Sequence, residues 1–385
     1  QVEAKPYVVD WDASAAEKGG YDLFMLKEIA EQPKAVADAL RGRIDAEQRI
    51  KLDETALDDA VLRDITKVVV VACGTAAHAG MVAKYAIEHW TRLPVDVELA
   101  SEFRYRDPIV GPDALVIAIS QSGETMDTLM ALRHATAQGA RTLAICNTVG
   151  STIPRESDAV LYTYAGPEIA VASTKAFLTQ IIASYLVGLY LAQARGTMFE
   201  DEIRAILSDL GDMPQKVDLV LDTVEPIRDL ARRFADSPSV LFLGRHVGYP
   251  VALEGALKLK ELAYMHAEGF PAGELKHGPI ALIEEGIPVI VVVPSPRGRA
   301  VLHDKIVSNI QEVRARGASV IAIAEEGDEA IVGVADHVVR VPETPTLMQP
   351  LVSTVPLQVF ACELATVKGH DVDQPRNLAK SVTVE

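Results

Sequence analysis

The sequence predicts an α/β protein built from two successive domains, each with a parallel sheet covered by helices on both faces. Three observations predict it. Short, continuously apolar, β-branched runs recur along the chain, among them KVVVVAC, ALVIAIS and PVIVVVPS. Helical patterns such as TMDTLMALRHATAQG separate several of these runs. Strands apolar at every position are buried on both sides, as in a parallel sheet between helical layers. The same strand–helix order then restarts after a charged stretch, at a spacing of roughly 170 residues, far longer than any solenoid repeat. A length of 385 residues agrees with two domains.

Taken in order, residues 1–58 are polar and mostly helical in character, with spaced apolar residues from Leu23 to Ile50. They are expected to form an entry segment that packs on the first domain. That domain is expected over 59–198, with strands KVVVVAC, VDVELA, ALVIAIS, RTLAICN and AVLYTYA, and a long apolar helix from about Ser173 to Ala194 closing it. Residues 199–230 are charged, periodic and interrupted by GDMP, and are expected to be a helical linker. The second domain is expected over 231–370, with strands SVLFLGR, PVIVVVPS, SVIAIAEE and HVVRVP. Its helices are expected from Tyr249 to His266 and from Thr354 to Lys368, with AEGFPAGELKHGPIALI as a glycine-rich loop between apolar segments. The tail 371–385, DVDQPRNLAKSVTVE, has no core-forming period, so disorder is its default and order would need a cause.

Composition narrows the function. With 37 Lys and Arg against 54 Asp and Glu, the net charge is −17, a poor match to a nucleic-acid backbone. Cys73, Cys146 and Cys362 are far apart and make neither a metal spacing nor a disulfide framework, which fits a reducing cytoplasm. No apolar run reaches the ~18 residues that span a bilayer, so no membrane partner is expected. The start, QVEAKPYVVDWD, resembles neither a signal peptide nor an initiator, and the chain reads as a piece lacking an N-terminal partner domain.

The sharpest local feature is the end of ALVIAIS. A buried strand runs into Ser120-Gln121-Ser122-Gly123-Glu124-Thr125, and a helix starts there. Ligands of open parallel sheets sit outside the carboxyl ends of strands, and a helix N-terminus favours phosphate. Ser120, Ser122 and Thr125 supply hydroxyls, and Thr75 of CGT stands at a second such junction. The loop is neither a Walker A sequence nor G-x-G-x-x-G, so no nucleotide is implied. Simple N-capping by Ser or Thr meets the same spacing. Cys73 reads as a small core residue rather than a nucleophile.

Glu254, Lys258 and Glu261 lie four and three apart on an otherwise apolar helix and share one face. A narrow charged stripe of this kind suits a buried polar cleft and a carboxylate base, although an ordinary salt-bridged stripe is the simpler reading of the spacing alone. His277 sits in a glycine-rich loop, where an imidazole can move protons near neutral pH, or is merely solvated. Lys380, in the tail, becomes a nucleophile only if the tail folds over a site. No metal-ligand spacing is present, and no metal or organic cofactor is expected.

In order, CGT, SEFRY, ISQSGET, VASTKAF, ALEGALKLKE, GELKHGP and DQPRNLAKSVTVE make the chain resemble the isomerase half of glutamine–fructose-6-phosphate aminotransferases, also called glucosamine-6-phosphate synthases. The resemblance runs from about Tyr21 to Glu385. ISQSGET alone indicates only a sugar-isomerase (SIS) domain; GELKHGP with the tail is more specific. The resemblance implies two SIS domains, each a flavodoxin-like parallel sheet flanked by helices, plus an ordered tail that closes the active site. It implies that Ser120, Gln121, Ser122, Thr125 and Thr75 hold the phosphate of fructose 6-phosphate, and that Val171, Ser173 and Ala379 line the sugar. Glu261 matches the base between C1 and C2, with Lys258 close to it. His277 matches the imidazole that opens the ring from a neighbouring subunit, and Lys380 the lysine that forms a Schiff base. Ala76 departs from relatives with serine after CGT.

What the resemblance implies chemically is conversion of fructose 6-phosphate and ammonia to glucosamine 6-phosphate. An imine at Lys380 acidifies C1, Glu261 takes a proton there and returns it at C2, and transimination with ammonia releases product. Without ammonia, imine hydrolysis gives slow isomerisation. A homodimer with shared active sites is implied, together with an N-terminal glutaminase domain that nothing in this chain matches. The competing classes are a phosphosugar-sensing regulator, which would need the serine loop but neither Glu261 nor Lys380, and a deglycase or simple isomerase.

Overall fold

The computed structural model describes residues 17–52 and 59–384. The opening QVEAKPYVVDWD and part of the expected entry segment lie outside these residues. Ten strands form two five-stranded parallel sheets. The first holds β1 (Lys67–Ala72), β2 (Val95–Leu99), β3 (Ala114–Ser120), β4 (Arg141–Cys146) and β5 (Ala159–Tyr162) in the order β2-β1-β3-β4-β5. The second holds β6 (Ser239–Gly244), β7 (His266–Pro271), β8 (Pro288–Val292), β9 (Ser319–Glu325) and β10 (His337–Val341) in the order β10-β9-β8-β6-β7. Read from the other edge this is the same order, the flavodoxin-like arrangement, so the duplication extends to topology.

Strand residues alternate between two cores, which is why the runs are apolar throughout. Val68, Val70 and Ala72 of β1 face one core, and Val69 and Val71 face another. In β6, Val240 and Phe242 face the first of these cores, and Leu241 and Leu243 a third. The largest core is thus shared by the inner faces of both sheets. Between them lie the helices Gly74–Thr91, Lys175–Arg195, Gly248–Ala263 and Gln349–Val367. Two of these, Lys175–Arg195 and Gln349–Val367, are long and apolar enough to cross a membrane by length and composition, which uninterrupted apolar runs alone understated. They are 89% and 83% buried within the protein, as central core helices are.

One expectation is corrected. HAEGFP is not loop but β7, an edge strand paired in parallel with β6; its glycine and proline hid the pattern. Gly269 is needed there because a Cβ would come within 2.9 Å of the Leu253 backbone. Among the described residues the entry segment is helical over Phe24–Ala30 and Gln32–Leu40, after which Ile44 and Ile50 form an antiparallel bridge. The stretch expected as a helical linker is helical over Glu200–Leu221 and Glu225–Arg233, and the first of these helices also buries Ile203, Leu207, Leu210, Met213, Val217 and Val220 in the shared core.

One close approach sets the position of the second domain's charged helix. Strand β6 ends at Gly244, and the helix Gly248–Ala263 starts so soon that a Cβ on Gly244 would lie 2.0 Å from the Gly248 carbonyl oxygen. Gly244→Ala must push the helix start away. We expect a loss of about 3 kcal/mol in urea unfolding, the upper end for overpacking because the obstacle is backbone.

Candidate active site

In the first sheet the chain reverses its winding between β1 and β3, and the crevice opens at their carboxyl ends, as topology requires. A cavity of about 110 Å³ lies there. Cys73, Thr75 and Ala76 line it after β1; Ser120, Gln121, Ser122, Thr125 and Thr128 line it after β3; Ser173, Gln180 and Lys380 close it.

The serine loop is a tight, internally bonded turn. The Gly123 N–H donates to Ser120 Oγ (3.0 Å), the Glu124 N–H to Ser122 Oγ (3.2 Å), and the Ser120 and Thr125 hydroxyls are 3.0 Å apart. Thr125 is the N-cap residue of the helix Met126–Ala137, yet its side chain makes no capping bond. Simple N-capping therefore does not explain these hydroxyls. Gly123 is obligatory: its φ is +66°, and a Cβ would meet Ser151 Oγ at 2.0 Å. Glu124 turns away and accepts the Thr152 N–H (2.8 Å). Cys73 accepts the Thr128 hydroxyl (3.8 Å), and burial pushes its thiol pKa up, against a thiolate role.

The charged stripe is a buried cluster joining the two domains. Glu254 and Lys258 are fully buried, and Glu261 is partly exposed. Lys258 Nζ donates to Glu261 Oε2 (2.6 Å) and to Thr75 Oγ1 (3.0 Å), and lies 3.3 Å from Glu254 Oε1. Glu254 also accepts from the Thr75 hydroxyl (2.9 Å) and meets His78 Nδ1 (2.7 Å). Burial alone would raise the Glu254 pKa, but Lys258, His78 and Thr75 together hold it below its ordinary value. The two carboxylates raise that of Lys258 despite its burial. The spacing thus marks a buried cluster rather than a surface stripe, and Thr75 links it to the cavity wall.

The tail is ordered. Val372 enters the shared core, and the Asp373 carboxylate accepts the N–H groups of Phe24 (2.9 Å) and Met25 (3.0 Å). Arg376 stacks over the Tyr264 ring at 4.2 Å, with its N–H on the Tyr264 hydroxyl (2.8 Å), instead of bonding loop carbonyls through its side chain. Ser381 Oγ donates to Ser122 Oγ (3.0 Å), and the Val382 carbonyl accepts the Met126 N–H (3.0 Å) at the helix start. Lys380 Nζ then reaches the cavity while bonded to Glu168 Oε2 (2.5 Å) and Ala170 O (2.8 Å).

Most of the expected site residues converge. Thr75, Ser120, Gln121, Ser122, Thr125, Ser173 and Lys380 line one cavity, and Lys258 and Glu261 reach it through Thr75. Three stand apart from both the cavity and this cluster. Val171 is half-buried beside the cavity, its N–H on the Asp373 carbonyl (3.0 Å); Ala379 is exposed; and His277 is exposed on the short 3-10 helix Ala272–His277. Sequence reasoning missed Glu28, His78, Glu168 and Gln180. His78 was accessible, three residues after Thr75 on one helix face. Gln180 stands out as a buried amide in an apolar helix, its Oε1 unpartnered among the described residues. Glu28 and Glu168 carry no periodic signal.

A hydroxyl-rich crevice at the switch point of one of two like domains points to a class, the SIS fold. The SIS domain profile matches residues 61–189 and 233–368, and the chain belongs to this family. It is 74% identical over 383 residues to the glutamine–fructose-6-phosphate aminotransferase [isomerizing] of Streptomyces coelicolor and 67% identical over 381 residues to that of Mycobacterium tuberculosis. The match covers 99–100% of this chain but only 61–62% of the length of those relatives. Among solved structures it resembles the C-terminal domain of glucosamine-fructose-6-phosphate aminotransferase from Francisella tularensis, with a TM-score of 0.89 and 40% identity over 93% of this chain and all of that one. A tagatose-6-phosphate ketose/aldose isomerase from Escherichia coli shares the fold at 19% identity and a TM-score of 0.74.

Lys258→Met would leave Glu254 buried without its main counter-charge, and we expect a loss of roughly 3–5 kcal/mol near neutral pH. Because the folded-state pKa of Glu254 is depressed, its contribution is present above the ordinary value of 4.5 and lost as pH falls through the lower folded value. The gap between wild type and variant in urea unfolding should therefore narrow on acidification.

Proposed function

We propose that this chain is the isomerase part of a glutamine–fructose-6-phosphate aminotransferase and converts fructose 6-phosphate and ammonia to glucosamine 6-phosphate. The observation that carries this reading is Lys380, delivered by the ordered tail into the cavity that Ser120, Ser122 and Thr125 line. A phosphosugar sensor has no use for a buried lysine–carboxylate cluster at the cavity wall, so the regulator reading is not favoured. The two SIS domains are proposed to span 59–198 and 231–370, closed by the tail 371–385.

In this reading Ser120, Gln121, Ser122, Thr125 and Thr75 hold the phosphate, and Val171, Ser173 and Ala379 flank the sugar. His277 assists ring opening. Its exposed position, with no side-chain hydrogen bond among the described residues, supports service to a neighbouring subunit in a homodimer. Lys380 condenses with the C2 carbonyl, releasing water. Ammonia must displace lysine at this stage, before proton transfer, which revises the order inferred from the sequence. Protonation at C2 would turn the lysine imine into a secondary amine that ammonia cannot displace. Glu261 then takes a proton from C1 of the new imine and returns it at C2, leaving the amino aldose; Lys258 holds Glu261 in place. Ammonia would come from a glutaminase domain in the longer protein, an arrangement the partial coverage of the relatives supports. Three free cysteines agree with a cytoplasmic setting.

A direct assay is product analysis of fructose 6-phosphate with and without ammonium. Glucosamine 6-phosphate should appear only with ammonium, and glucose 6-phosphate slowly without it. Failure to form either sinks the reading. Glu261→Gln should abolish exchange of substrate hydrogen with solvent while sugar phosphate still binds.

Ser122→Ala should weaken fructose 6-phosphate binding by roughly 1.5–3 kcal/mol, one charge-assisted hydrogen bond, as read by calorimetry.

A further inference from the structure

Two buried carboxyl groups meet the half-buried Lys380 where the tail docks, and neither carboxyl has a part in the mechanism above. Glu168 lies in the loop between β5 and the helix Lys175–Arg195, with its side chain fully buried. One oxygen, Oε1, accepts the N–H groups of Thr174 (2.8 Å) and Ala176 (3.0 Å) at the helix start. The other, Oε2, is left to Lys380 Nζ at 2.5 Å. Glu28, on the helix Phe24–Ala30, braces the same loop: its Oε1 accepts the N–H groups of Ile169 (2.5 Å) and Ala170 (3.2 Å). The carbonyl of that Ala170 is the second acceptor for Lys380. Glu28 Oε2 is buried with no hydrogen-bond partner among the described residues.

We propose that Glu168 is the base that takes the proton from Lys380 when its amine is needed as a nucleophile, and that Glu28 is a positioning residue that holds the Glu168 loop and governs the charge around the lysine. The inference rests on the reading that Lys380 forms the imine.

The resting pair is an ammonium and a carboxylate in a largely desolvated site. Moving one proton converts two buried charges into a neutral acid and a neutral amine, a change that desolvation favours. The Lys380 N–H bond breaks and an O–H bond forms on Glu168 Oε2. The freed lone pair adds to C2 of the open-chain ketose. When the carbinolamine collapses, Glu168 gives the proton to the departing hydroxyl, which leaves as water. A nitrogen proton passes to the new alkoxide as the carbinolamine forms, so the net change is ammonium plus ketone to protonated imine plus water, with the carboxylate restored.

The neighbouring charges leave this trio to itself. Glu31, on the end of Glu28's helix, is taken by Lys175 (2.6 Å) and Lys27 (3.5 Å). Asp373 is occupied by two backbone N–H groups and faces Lys18 at 3.5 Å. Burial and the Glu168 charge push the Glu28 pKa up to about 8. Near neutral pH Glu28 is therefore protonated, and one negative charge faces one positive charge. Above about pH 8 a second negative charge appears beside the pair; it repels the Glu168 carboxylate more than it attracts Lys380, and so promotes the proton transfer between them.

The test is borohydride trapping with fructose 6-phosphate, followed by peptide mass analysis, alongside calorimetry with inorganic phosphate. Wild type should trap on Lys380; trapping on no lysine, or on another, would defeat the parent reading instead. Glu168→Gln should trap on Lys380 about 100-fold more slowly, with phosphate affinity kept within about threefold, and Glu168→Asp should recover part of the rate. Trapping by Glu168→Gln at the wild-type rate overturns the inference and leaves the parent reading intact. A parallel loss of phosphate affinity makes Glu168 a structural prop and also overturns it. Glu28→Gln should fall behind wild type above about pH 8, where wild type carries the second negative charge. Identical profiles would remove Glu28 from the proposal.

Discussion

Lys258 is fully buried, and much of the site depends on how that charge is compensated. An unpaired buried ammonium costs several kcal/mol, so Glu254 and Glu261 must stay within reach of it. All three residues sit on a helix of the second domain, but the hydroxyl that completes the lysine's coordination, Thr75, and the histidine on Glu254, His78, belong to the first. The charge cluster is therefore a lock between domains. Sliding the two apart by a hydrogen-bond length would leave the ion pairs of that helix intact but take Thr75 from Lys258 and Glu254, and His78 from Glu254. Glu261 is the member left partly exposed, which leaves its carboxylate open to a neighbour outside the cluster.

The duplicated fold shows how one scaffold is specialised twice. Both sheets have the same strand order and the same switch point, between β1 and β3 in one and β6 and β8 in the other. In the first, the turn after β3 carries hydroxyls and Gly123 and borders a cavity. In the second, the corresponding turn is Pro294-Ser295-Pro296-Arg297-Gly298. There Ser295 Oγ is used by the Arg297 N–H (3.2 Å), and Arg297 pairs with Glu325 and Glu343. The second domain instead contributes the helix after β6, set close by Gly244, and through it the charged side chains. The shared core between the sheets makes this division workable, since both domains bury their inner helices against each other rather than against solvent.

The tail is ordered by several small interactions that are each local. Val372 buries, Asp373 caps the first helix, Arg376 stacks on Tyr264, and Ser381 and Val382 bond the serine loop. Lys380 is the charged end of this series, fixed by Glu168. Because Asp373 binds the Phe24–Ala30 helix and Glu28 of that helix braces the Glu168 loop, the two ends of the described chain meet at the same corner of the crevice.

What the sequence determined by itself is the part governed by short range. Short β-branched apolar runs bounded by turn residues mark strands, so nine of the strands and the doubling were legible, and so was the strand–turn–helix geometry that puts Ser120, Ser122 and Thr125 together. The spacing of Glu254, Lys258 and Glu261 likewise fixed their common helix face. Strand β7 escaped because Gly269 and Pro271 are required by packing against Leu253 and by the strand's end, and they carry the signature of a turn. Only the tertiary structure decided that the charged face is buried, that Thr75 and His78 complete it from the other domain, and that a polar tail is ordered. Only it joined Lys380 to Glu168, 212 positions away, and brought Glu28 from the start of the chain to the same loop. These are long-range electrostatic pairings in a desolvated interior, and no local periodicity encodes which distant charge will neutralise a given one.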